Sequence, residues 1–202
     1  ANTETESSWW EFFASLKERG LKDVRLITSD NHKGLVNAVK RHFQGTTWQR
    51  CQTHFSRNML DHTPTALQPE IKEDLRQLYE AVDVDSARKV RDQLLGKYGM
   101  KAPKAATLLD ESFDDVTAVL AVPLKYRKRL RTTNGVERLN QEVRRRERVI
   151  RIFPNEASVI RLMGALLIEQ DEKWQVGRKY FDMDLYYQSI ENKKTKGSNS
   201  AA

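Results

Sequence analysis

Cysteine is almost absent from this 202-residue sequence, and the single Cys51 excludes any disulfide within the chain. With no second cysteine, a structural zinc site, which needs four protein ligands, is also poorly supplied. No apolar run approaches the roughly 20 residues required to span a bilayer. The N-terminal stretch ANTETESSWWEFF is acidic and its apolar positions are broken by Glu11, which fits neither a signal peptide nor a transit peptide. There is no internal repeat. These absences lead to the expectation of a soluble cytoplasmic protein in a reducing compartment. The apolar content, 39%, is enough for one substantial core, or for one core with a helical insert.

Net positive charge is also missing from most of the chain. From Lys125 to Arg151 there are 11 Lys or Arg and 3 Glu, a local balance of +8, whereas the whole chain carries only +7. One segment therefore holds the entire basic excess. A localised excess of this kind is the electrostatic footprint of a phosphate-backbone partner, with a solvated helix face as the alternative.

Hydrophobic spacing gives the organisation. Trp9, Phe12, Phe13 and Leu16 share one helical face that stops at Gly20. VRLITSD, Val24 to Asp30, reads as a short strand ending in an acid, followed by a helix with Leu35, Val36, Val39 and Phe43 on one side. TTWQRC, Thr46 to Cys51, reads as a second strand that leads into the helix of QTHFSRNMLDH. The alternation predicts parallel strands with helices against the sheet. From Pro64 to Val122 the β signal disappears, and helices are expected around 71–81, 86–97 and 104–120. A basic helix then opens near Asn134, breaks at Pro154, and gives way to a long helix over 156–178 that is apolar enough to be central. The expected segments are 1–62, an α/β part; 63–122, a helical insertion; 123–184, with the basic helix; and 185–202, a polar tail.

Two acids and one Cys/His pair stand out. Asp30 falls at the carboxyl end of a predicted parallel strand, where open α/β sheets place their ligands, although it could equally cap the next helix. Glu137 would sit at the third position of a helix capped by Asn134, the Glu place of a capping box. Its neighbours on that stripe are Gln141, Arg144 and Arg148, and an acid among phosphate-seeking arginines is costly unless a divalent cation lies between. Val136, Leu139, Val143 and Ile150 make the adjoining apolar stripe that would dock the helix. Cys51 and His54 form a C-x-x-H pair after the second strand, by default packed or hydrogen-bonded. Trp9, Trp10, Phe12 and Trp48 read most simply as core.

Taken together, LITSDNHKGLVNAV, WQRCQTHFSRN, RTTNGVERLNQEVRRR and IFPNEASVIRLMGALLIEQ resemble the Mutator-type transposases of bacterial insertion sequences, in order and from about Thr5 to Asp184. The resemblance implies an α/β fold, a partial RNase H-like core with a helical insertion, in a chain that is helical for most of its length. It implies two aspartates and a glutamate that bind Mg²⁺ or Mn²⁺ for attack on DNA phosphodiesters. Asp30 matches the second aspartate, and Glu137 matches the glutamate of the T-T-N-x-x-E-R-x-N motif. Cys51 and His54 match the family's C-x-x-H signature, in a supporting or strand-placing role. Arg138, Asn140, Arg144, Arg145, Arg146 and Arg148 become candidate contacts to double-stranded DNA, and the location becomes the bacterial nucleoid.

The family's first aspartate belongs on a strand upstream of the WWEFF helix, and Asp23 lies in the wrong place to replace it. The expectation is therefore a C-terminal portion of a transposase, inactive by itself, with an unpaired strand edge prone to self-association. The alternatives are a non-catalytic DNA-binding remnant or regulator, or another RNase H-like nuclease such as a junction resolvase.

Overall fold

The computed structural model describes residues 5–177, 183–184 and 186–188. The chain divides into two compact units, one running to Thr133 and one beginning at Asn134. The described residues are mainly helical, with one small parallel sheet.

The first unit opens with α1 (Glu6–Glu18). Its start is fixed reciprocally: Ser8 N–H donates to Thr5 Oγ1 and Thr5 N–H donates to Ser8 Oγ. Its end is fixed by Gly20, whose φ of 98° is one that side-chain-bearing residues avoid. That turn lets Gly20 N–H reach Lys17 O and Leu21 N–H reach Leu16 O, which satisfies the last carbonyls of the helix. Phe13 is buried against α2 (Lys33–His42), with Trp9 and Leu16 packed beside it. Trp10 and Phe12, expected in the core, are instead 44% and 48% exposed. The buried stripe uses positions 9, 13 and 16, and Trp10, one step round the helix, lays its ring against His42 at the end of α2, with centroids 3.7 Å apart, while its other side faces solvent.

β1 (Leu26–Ser29) and β2 (Thr47–Arg50) pair in parallel, from Leu26 opposite Thr47 to Ser29 opposite Arg50. α2 is the crossover between them, and it buries Val36, Ala38 and Val39. Trp48 is buried as expected, with its indole N–H on Ser29 Oγ at 2.9 Å. Among the described residues β1 has no strand on its other side.

After β2 the chain is helical: α3 (Gln52–Asp61), α4 (Gln68–Tyr79), α5 (Val84–Tyr98), α6 (Pro103–Thr117), a 3₁₀ turn (Ala118–Ala121) and α7 (Leu124–Leu130). Proline in the first turn starts α4 and α6, and Asp83 caps α5 by accepting the Ser86 N–H at 2.7 Å. Phe55, Ile71, Leu75, Leu78, Leu109 and Phe113 fill the core of this layer. It is joined to β2 by buried polar groups. Gln49 Nε2 donates to Val116 O at 2.9 Å, and Gln49 Oε1 accepts the Val119 N–H at 2.6 Å. Gln52 Nε2 also donates to Val116 O, and Arg50 Nη1 reaches Ser112 Oγ at 2.7 Å while its guanidinium stacks on Phe55. Burial lowers the Arg50 guanidinium from its ordinary value and raises the Asp115 carboxyl, each offset in part by the other's charge.

In the second unit, α8 (Asn134–Ile150) is followed by Arg151 at a φ of 60°, then by α9 (Glu156–Val176). Asn155 caps α9 by accepting the Ser158 N–H at 2.9 Å. The expectation of a central α9 is not met: none of its described residues is buried, and Ile160 is 62% exposed. Its apolar residues, among them Ile160, Leu167, Ile168 and Trp174, are spread around the axis rather than gathered in one stripe. Val136 and Ile150 of the expected α8 docking stripe are likewise exposed, while Leu139 and Val143 are half-buried.

Candidate functional site

Both strands of the sheet end beside the same short segment, residues 130–133. Thr28 Oγ1 donates to Leu130 O at 2.5 Å, and the Gln52 backbone N–H donates to Arg131 O at 3.0 Å. Thr133 N–H lies 3.4 Å from Cys51 Sγ, which also lies 3.4 Å from Thr133 Oγ1. The C-x-x-H motif and the T-T-N motif, about 80 residues apart in sequence, thus meet at the carboxyl ends of the strands. Cys51 is fully buried and His54, in the first turn of α3, is half-buried.

Asp30 follows β1 directly at this same end. Its side chain is exposed, and among the described residues no hydrogen bond or ion pair engages its carboxylate. The capping reading does not hold, because α2 begins at Lys33 and its N-cap position is His32. Glu137 lies in the first turn of α8. Since α8 begins at Asn134, Glu137 is the fourth helical residue rather than the third, one place beyond the position a capping box uses.

The basic residues divide by what already holds them. Arg127 of α7 is a structural cation: its guanidinium donates to Val122 O, Ala81 O, Val82 O and Leu120 O. Burial lowers it from its ordinary value. On α8, Glu142 takes a bidentate bond from Arg145, at 2.8 and 2.7 Å, and a third from Arg146 at 3.1 Å. Those bonds, with that from Arg145 the larger, hold the Glu142 carboxyl down at about 2. Arg144 and Arg148 are exposed and have no carboxylate partner among the described residues. Arg138 and Asn140 are exposed as well. Sequence reasoning missed Glu142, although its spacing of three and four residues from Arg145 and Arg146 is the signal for such pairs. It also missed Thr28, for which no local signal exists, and it gave Thr133 no role beyond its place in the T-T-N motif.

Residues 1–177 match the family described as Transposase, Mutator family. The chain belongs to the Mutator family of transposases. The transposase for insertion sequence element ISRM5 of Rhizobium meliloti is 40% identical over 184 residues, 91% of this chain and 46% of that protein. The transposase for IS256 in transposon Tn4001 of Staphylococcus aureus is 42% identical over 184 residues, 90% of this chain and 47% of that protein. The transposase for IS1081 of Mycobacterium tuberculosis is 39% identical, over 91% of this chain and 44% of that protein. The chain thus spans a little under half the length of these Mutator-family relatives.

As a donor for Mg²⁺ or Mn²⁺, Asp30 fits: it is a carboxylate, exposed, and without a partner among the described residues. Among the described residues no three His, Cys, Asp or Glu side chains converge on one point. No helix among them is long and apolar enough to cross a membrane.

Proposed function

We propose that this chain is the part of an insertion-sequence transposase that carries two of the three metal-binding carboxylates, Asp30 and Glu137, on an RNase H-like core interrupted by a helical insertion. Its activity is DNA strand cleavage and transfer at the ends of the element. The observation that carries the reading is Asp30: an unpartnered carboxylate at the carboxyl end of a parallel strand, beside the pinned T-T-N segment. A bound Mg²⁺ or Mn²⁺ supplies activation of a water or a 3′-OH and neutralises charge that develops on the phosphate. The residues of this chain do the rest. Asp30 and Glu137 provide fixed negative oxygens, and the cations of α8 hold the DNA backbone.

The DNA-binding part is tested by salt dependence. Arg144→Ala is expected to weaken duplex binding and flatten the plot of log K against log salt by about 0.9. Arg145→Ala should change it less, because Glu142 already occupies that guanidinium fork. An unchanged slope in both variants would move the DNA surface away from α8. Salt-dependent duplex binding by the unsubstituted full-length protein, with no cleavage under any metal condition, would favour the non-catalytic regulator instead.

The open side of β1 carries a second expectation. Leu26, Ile27 and Thr28 are only half-buried, and the backbone groups on that edge can pair with another chain. Sedimentation equilibrium of the 202-residue chain should show species larger than the monomer. A monodisperse monomer across the accessible concentration range would refute self-association through this edge.

A further inference from the structure

Residues 130–133 are tied down more heavily than a connector requires. A surface loop ordinarily leaves its backbone to water, yet here Leu130 O, Arg131 O and Thr133 N–H each find a partner at the strand ends. The partners come from both strands: Thr28 belongs to β1, while Cys51 and Gln52 follow β2 immediately. One of the three is a backbone amide, which any sequence would provide. The other two are side chains, and either could be lost by a single substitution. Thr28 contributes a hydroxyl donor, and Cys51 contributes a thiol, a weak acceptor that is held close only because it is fully buried. The compact unit ends at Thr133, the residue that the thiol holds.

We propose that Thr28 and Cys51 are positioning residues that fix residues 130–133 across the strand ends, the end at which Asp30 follows β1. The role of the cysteine in the C-x-x-H motif is then neither metal binding nor nucleophilic attack. Its sulfur serves as a buried hydrogen-bonding atom whose size fills the space beneath Thr133. The catalytic consequence rests on the transposase reading given above; the anchoring itself does not.

The test has two arms. In the first, backbone amide exchange is followed residue by residue in the 202-residue chain and in Thr28→Val and Cys51→Ala. Valine keeps the shape of threonine without its donor, so Thr28→Val decides the matter if Cys51→Ala fails to fold. Exchange at Thr132 and Thr133 should accelerate at least about tenfold, with the amides of α4 unchanged, as in a local opening. Unchanged exchange at these residues would overturn the proposal.

In the second arm, the full-length transposase carrying each substitution is assayed for cleavage across a Mg²⁺ titration. A shift of the half-maximal Mg²⁺ concentration to higher values, with duplex Kd unchanged, is the expected signature of a disturbed strand end at Asp30. A uniform loss of activity with no shift would overturn the positioning role. If exchange accelerates as expected but no form cleaves, the unsubstituted protein included, the anchors stand and the transposase reading falls.

Discussion

Asp30→Asn and Glu137→Gln are each expected to reduce Mg²⁺-dependent strand cleavage by the full-length transposase to background while leaving duplex binding nearly intact. Both substitutions preserve size and remove one negative charge. A metal ligand must supply that charge, and an amide oxygen is a poor substitute for a carboxylate. The structure makes Asp30→Asn the cleaner of the two. Its carboxylate neither caps α2 nor accepts a hydrogen bond among the described residues, so the change should move stability by no more than about 0.5 kcal/mol. Loss of cleavage in a protein that melts normally then cannot be traced to misfolding. Glu137 sits in the first turn of a helix, where negative charge is favourable, so a cost of about 1 kcal/mol or less is expected alongside the catalytic loss. Robust cleavage by either variant would remove that residue from the metal site.

The largest effect on stability is expected at Gln49. Leucine there has nearly the right volume but leaves the Val119 N–H without its acceptor, in a place where no water reaches. An orphaned buried donor costs about 1–3 kcal/mol, and the Gln49 bond to Arg50 O is lost with it, whereas Val116 O keeps Gln52. A total near 3 kcal/mol would lower the melting temperature by roughly 10 °C for a unit of this size. Gln52→Leu provides the internal control. Val116 O would still be served by Gln49, and the Gln52 Oε1 has no hydrogen-bond partner to lose. Its cost should be clearly smaller. Equal losses in thermal unfolding would show that burial, rather than the particular bond to Val119, holds the helical layer on β2.

The elements that sequence revealed are those whose signal is local. β1 and α2 announce themselves by apolar residues in one period, β2 by the short TTWQRC stretch, and their bounds fall within a few residues of those expected. The helices from α4 to α6 were legible for the same reason, assisted by Asp83 and by the prolines that open α4 and α6. What escaped depends on residues distant in sequence. Nothing near Gln49 and Arg50 in sequence tells that α6 and its 3₁₀ turn will cover them. Trp10 and Phe12 read as core because hydrophobicity does not say how much of a ring its neighbours will cover. At the site, Asp30 and Glu137 stood out by a strand end and by charge on a helix and took their roles from the motif resemblance, whereas Thr28 became visible only with Leu130 placed beside it.

The anchors at residues 130–133 also imply an order of assembly. Thr28 and Leu130 are 102 residues apart, and Cys51 and Thr133 are 82 apart, so each contact closes a long loop for a modest enthalpic return. The β1–α2–β2 unit and the contacts between successive helices are built from far shorter closures, and they have a kinetic advantage over the anchors. On a ribosome the difference is absolute, because Leu130 and Thr133 are synthesised after everything they bind. The strand ends therefore stand complete and waiting while the basic helix is still being made. The same contacts, being the last to close, should be the first to open when the folded chain fluctuates.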